Sequence, residues 1–124
     1  MEIENIKFKA KRLDNGEWII GSFVVMKIPA LSKTTIGIVA ADGATLHEID
    51  PSTICQFTGL KDKNGTPIYE GDMIMYKDNN AERRGDINWD SKAAAFCFGQ
   101  GFLFHYSSED MVVIGNKFDK RNSV

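Results

Sequence analysis

Between Phe57 and Asp72 the chain compresses a turn dipeptide (Asn64-Gly65), a proline (Pro67), a cluster of charges and a second glycine (Gly71) into one short connection. Apolar, strand-like runs lie on both sides of it. Asn and Gly accept the backbone conformations of a tight reversal, so the connection reads as a fixed joint between strands. Turn chemistry accounts for every residue type in it: Asn64-Gly65 makes the turn, Ile68 and Tyr69 pack inward, and Gly71 allows a sharp entry into the next strand. The functional alternative for the same residues is a binding loop held between two rigid flanks.

The rest of the chain repeats the pattern of short runs and reversals. Ile6, Phe8 and Ala10 alternate with Lys7, Lys9 and Lys11, which predicts a strand with one buried face and lysines that discourage edge pairing. Asp14-Asn15-Gly16 turns the chain into a β-branched and aromatic run from Trp18 to Met26, giving a hairpin in which Gly21 marks a bulge or a close backbone approach. Thr34 to Ala40, Leu46 to Ile49 and Ile54 to Phe57 are further short strands, with a turn at Asp42-Gly43 and Asp50 capping a helical turn that begins at Pro51.

After the joint, Asp72 to Lys77 reads as a strand buried on both sides. Strands follow at Gly85 to Asp90, Ala94 to Phe98, Phe102 to Tyr106 and Met111 to Ile114, with Gly115-Asn116 ending the last. About five short strands in roughly fifty residues have the rhythm of an SH3-like barrel. The predicted fold is mainly β: a β-rich part over residues 1–56, the connecting motif over 57–71, a small SH3-like barrel over 72–118 and a disordered tail over 119–124.

A formal net charge of −2 argues against nucleic-acid binding by the surface as a whole, because such binding draws on neutralised phosphates. The two cysteines, Cys55 and Cys97, are far apart and sit in apolar strand-like contexts, which suits reduced, buried thiols. The first residues carry two acids and no apolar run, and no apolar run is long enough to span a bilayer, so a cytoplasmic place and no membrane partner are expected.

Ile6 to Ala10, Phe57 to Gly65 followed by Ile68-Tyr69-Glu70-Gly71-Asp72, Gly85 to Asp90 and Val113 to Asn116 together resemble the YopX family of bacteriophage and prophage proteins. The resemblance spans Ile6 to Asn116, with Thr58 to Asp72 its most specific part; 23–50 follows no family pattern. It implies a β-rich fold with an irregular N-terminal part and an SH3-like C-terminal barrel, and it supplies no catalytic residues. The motif positions it brings forward are Thr58, Gly59, Leu60, Asn64, Gly65, Ile68, Tyr69, Gly71 and Asp72.

Chemical candidates are sparse. Glu70 and Asp72 form a carboxylate pair that suits acid–base work or a divalent cation, but they lack further ligands in sequence; the alternative is a solvated Glu70 and an Asp72 bonded to the turn backbone. Asp42, His47, Glu48 and Asp50 cluster without a metal-ligand spacing, and His105 sits in a strand as a partly buried sheet residue. No phosphate loop, nucleophile elbow or dinucleotide fingerprint is present, and neither a cofactor nor a metal is expected. The loop from Lys77 to Arg84, with Tyr76, Lys77, Arg83, Arg84 and Trp89, is the candidate binding group.

Three functional readings follow. The leading one is a non-enzymatic phage or prophage accessory protein that works by contact with a protein partner and by self-association, because exposed aromatics on a β framework make contact surfaces. The second is a nucleic-acid-binding module built on the barrel. The third is a metal-dependent hydrolase using Glu70 and Asp72.

Overall fold

A computed structural model describes residues 2–40, 43, 45–78 and 81–119. The turn residue Asp42, part of the Asp78-Asn79-Asn80 loop and the tail at 120–124 lie outside them, in whole or in part. The chain divides into two units, Met1–Phe57 and Thr58–Val124.

The first unit is an antiparallel sheet. Its strands are β1 (Phe8–Lys11), β2 (Trp18–Ile28), β3 (Lys33–Ala40), β4 (Leu46–Glu48) and the start of β5 (Cys55–Lys61), in the order β4-β3-β2-β1-β5. Phe8 stands opposite Gly21 on β2 and Gln56 on β5, and Gly21 stands opposite Ala40 on β3. Ala10, Ile38 and Ile49 form the buried centre, with Phe8, Ile19, Ile36 and Ile54 packed against it.

β1 therefore lies inside the sheet, which corrects the expectation that its lysines protect an edge. Their work is different. The Lys9 and Lys11 ammonium groups lie 4.6 and 5.3 Å from the centre of the Trp18 ring, and Lys7 lies 4.5 Å from that of Phe57. A cation over an aromatic face is attracted by the ring's electron-rich surface. Ile6, expected on the buried face, precedes the strand and is exposed, because the chain there has only just left a 3-10 turn at Ile3–Asn5.

The local signals of the first unit translate directly. Asn15 accepts from the Glu17 amide at 2.9 Å in the β1–β2 turn, and the Asp50 carboxylate accepts from the Ser52 amide at 3.0 Å to cap the turn at Pro51–Thr53. Pro29–Leu31 forms a 3-10 turn that reverses β2 into β3. Gly21 marks a close approach: a Cβ there would lie 2.0 Å from the Val39 carbonyl oxygen.

The second unit contains the rest of β5, then β6 (Pro67–Tyr69), β7 (Asp72–Lys77), β8 (Glu82–Asp90), β9 (Ala95–Phe98), β10 (Gly101–Phe102) and β11 (Met111–Asn116). β5 and β6 are neighbours, and the remaining strands form a five-stranded antiparallel sheet in the order β10-β9-β8-β7-β11. Ile68, Ile74, Ile87, Phe98, Leu103 and Met111 are its buried core, flanked by Leu60, Tyr76, Phe96, Tyr106 and Val113.

The mainly β class holds, but the sheet is not a closed barrel. β10 and β11 are its two outer strands and are not neighbours. The reason is local: the expected strand from Phe102 to Tyr106 stops after two residues, because Leu103–His105 winds into a 3-10 turn that drops Leu103 into the core. His105 is consequently exposed on that turn and not a partly buried sheet residue. β7 buries only alternate residues, Asp72 and Ile74, and leaves Met73 and Met75 half-buried, so it is covered fully on one face alone. β11 runs on through Gly115 to Asn116, with an irregularity between Val113 and Gly115. Both cysteines are buried outside any disulfide, and the Cys55 thiol donates to the Thr53 carbonyl at 3.3 Å.

Replacing Gly21 by Ala should cost about 2 kcal/mol or more, since a backbone carbonyl cannot swing aside as a side-chain tip can. Urea denaturation of Gly21→Ala beside Ser22→Ala checks this; the serine variant, at an exposed neighbouring position, should unfold close to wild type.

Candidate functional site

The joint read from the sequence is a hairpin, formed by the second half of β5, a turn and β6. Three side chains fix its shape. The Thr58 hydroxyl donates to the Ile68 carbonyl at 2.8 Å and accepts from the Leu60 amide at 3.1 Å. This supports the backbone around Gly59, which sits at φ +87°, a region that favours glycine. Ile68 and Tyr69 point into the unit and are buried.

Asp62, which the sequence reading did not single out, holds the turn. One carboxylate oxygen accepts from the Asn64 and Thr66 amides at 2.8 and 2.9 Å, and the other accepts from the Val113 amide at 2.9 Å. The Lys63 amide also donates to the Met111 carbonyl at 3.0 Å. Burial alone would push the Asp62 carboxyl up; the amides of Val113, Thr66 and Asn64, with the Thr66 side chain, outweigh it and hold the carboxyl below its ordinary range. The signal available in sequence was an Asp two residues before Asn-Gly, the arrangement in which an Asx side chain bonds its own turn. The partner on β11 had no such signal.

Asp72 closes the other end of the hairpin. It is 1% exposed; one oxygen accepts from the Tyr69 amide at 2.8 Å and the other from the Asn116 side-chain amide at 2.9 Å. Gly71 donates to the Ile87 carbonyl at 2.6 Å and accepts from the Lys117 amide at 3.0 Å. Burial, then the nearby Asp72 charge, pushes the Tyr69 phenol up to about 12. Asp72 thus has the turn-bonded position weighed against catalysis above, while Glu70 is half-buried beside it. Among the described residues no group of three His, Cys, Asp or Glu side chains is placed to hold a metal ion.

The five-residue binding group is not assembled at one place. Tyr76 pairs with Arg83 and therefore shares its face, whereas Lys77 pairs with Glu82 and Met75 with Arg84, on the opposite face. Arg84 is engaged by Glu82 at 3.2 Å. Trp89 lies six residues beyond Arg83 on β8, about 20 Å along the strand, and packs edge-on against Phe96 with ring centres 5.0 Å apart. Arg83 and Arg84 stand in β8 itself and not on a loop. In the first unit His47 is half-buried on β4 and, with Arg12, Leu13, Asp14, Leu46 and Glu48, lines a hollow of about 350 Å³.

The geometry brings forward a surface that sequence reasoning missed. Thr58, Leu60, Ala95, Phe96, Leu103 and Phe104 line an apolar groove of about 210 Å³. The locked hairpin supplies Thr58 and Leu60, β9 supplies Ala95 and Phe96, and the 3-10 turn supplies Leu103 as a buried floor and Phe104 as an exposed rim. Phe104 is 72% exposed and stacks on Phe102 at 5.3 Å with the rings 9° from parallel. Its signal was hidden, because a strand from Phe102 to Tyr106 gives no reason to project Phe104 from the surface.

These features define a class: an all-β protein of two units whose second unit presents an apolar groove anchored on a carboxylate-locked hairpin. The YopX protein family matches residues 7–122, nearly the whole sequence. The chain belongs to the YopX family. No match appears among curated proteins. No helix among the described residues is long and apolar enough to cross a membrane.

Two outcomes follow. Asp62→Ala should lose about 3 kcal/mol by leaving three amides without their acceptor. Because its carboxyl is lowered in the folded protein, the wild-type contribution is complete above the ordinary value of 3.8 and lost as pH falls below it. Denaturation midpoints between pH 7 and pH 3 should therefore drop more steeply for wild type than for Asp62→Ala. In a spectrophotometric titration, one tyrosine should resist ionisation until about pH 12 and disappear from the curve in Tyr69→Phe.

Proposed function

We propose that this YopX-family protein is a non-enzymatic accessory protein of a bacteriophage or prophage, acting in the host cytoplasm by contact with a protein partner and by self-association. The observation that carries the reading is the Leu60–Phe104 groove: an apolar hollow with a buried floor and an exposed aromatic rim. Such a surface takes an apolar side chain of a protein partner, and aromatic rims of this kind concentrate binding energy. The strand order supports an SH3-like relationship for the second unit: β7 to β10 form a meander and β11 returns to the free side of β7. The nucleic-acid alternative draws less support, since Tyr76 and Arg83 face away from Lys77 and Arg84, and Arg84 is already paired. The hydrolase alternative draws little, since both Asp72 oxygens accept structural hydrogen bonds.

Affinity capture from phage-infected or prophage-induced host cells tests the reading. A partner retained by wild type should bind Phe104→Ser about 30-fold more weakly, the effect of roughly 2 kcal/mol at an aromatic anchor. Equal retention by the two proteins would overturn the groove's role.

A further inference from the structure

We propose that the open edge of β2, Ser22 to Ile28, is where a second copy of this chain adds, strand against antiparallel strand. The inference rests on the self-association part of the reading above and makes no use of the Phe104 groove.

The edge is open because β1 is short. β1 begins at Phe8, opposite Gly21; before it the Lys7 carbonyl accepts from the Phe57 amide of β5 at 3.0 Å, and Ile3–Asn5 winds into a 3-10 turn. β3 pairs with β2 along its other side from Gly21 to Ile28. Among the described residues, Ser22 to Ile28 therefore has a strand on one side only. Three side chains of this run are exposed although apolar: Phe23 at 37%, Val25 at 49% and Met26 at 44%.

Among the described residues, the outer strands β11, β4 and β10 differ from this run. On the outer side of β11, Asp62 accepts from the Val113 amide, Lys63 donates to the Met111 carbonyl, and the Asp119 carboxylate accepts from the Asn116 amide at 2.8 Å. Side chains and a loop amide thus occupy the groups an incoming strand would need. β4 and β10 are only three and two residues long. Ser22 to Ile28 is seven residues long with no proline and a single charge, Lys27. A long, apolar edge without such devices is a pairing surface.

The occupant is a second copy because the run complements itself. A two-fold axis at Val25, the midpoint of the run, sets Val25 against its own counterpart, Val24 against Met26, Phe23 against Lys27 and Ser22 against Ile28. No like charges meet, Lys27 faces an aromatic ring, and every residue of the open run gains a partner.

The full chain is tested by light scattering with sedimentation velocity. Wild type should show a mass at least twice that of the chain. Val25→Lys and Val25→Glu place two like charges at the axis, so each alone should weaken association roughly tenfold or more. An equal mixture of the two should restore the wild-type mass, because opposite charges then meet. Val25 is half exposed, and unchanged circular dichroism and thermal unfolding of each variant establish that folding is intact. Phe104→Ser should associate like wild type. A wild type that stays monomeric at every concentration, or Val25 variants as associated as wild type, would overturn the inference. Loss of association in Phe104→Ser alone would overturn it too and move self-association to the groove. A monomeric wild type that still captures its partner through Phe104 would leave the groove reading standing.

Discussion

Two buried carboxylates hold the second unit in register. Asp62 gathers three backbone amides, two from its own turn and one from Val113 on β11, 51 residues away in sequence. Asp72 gathers the Tyr69 amide and the Asn116 side chain, 44 residues away. Taking a carboxylate out of water is costly, and only several good donors offset it. Because each acid is satisfied by groups from both the hairpin and the region of β11, neither segment can shift without exposing the other's unsatisfied polar atoms. The lowered Asp62 carboxyl is the electrostatic trace of that arrangement.

One wall of the groove stands on this hairpin. Thr58 and Leu60 form one wall, and Thr58 is itself bonded to Ile68 across the hairpin. The opposite wall comes from β9 and from the turn that ends β10. The same turn that stops the sheet from closing thus buries Leu103 and projects Phe104. A binding surface that needs little ordering on contact loses less entropy when a partner arrives.

The two units treat their strand edges differently. In the second, Asp62 and Asp119 occupy the outer side of β11. In the first, β2 outruns β1 by seven residues, Ser22 to Ile28. This contrast, and not exposure alone, distinguishes the β2 run from ordinary apolar surface.

Local signals determined much of this protein. Asn-Gly pairs, Asp50 before Pro51 and runs of β-branched residues set the turns and most strands, because each acts through its own backbone and needs no distant partner. The stretch from Thr58 to Asp72, with the weaker matches on either side of it in order, made the family legible. Tertiary structure decided what depends on remote neighbours: that β1 is interior, that Lys77 and Arg84 oppose Tyr76 and Arg83, that β10 stops before it can close a barrel, and that Asp62 and Asp72 find partners on β11. Strand periodicity tells which residues share a face but not which strand lies alongside, so the groove at Phe104 and the open side of β2 exist only once distant segments have packed.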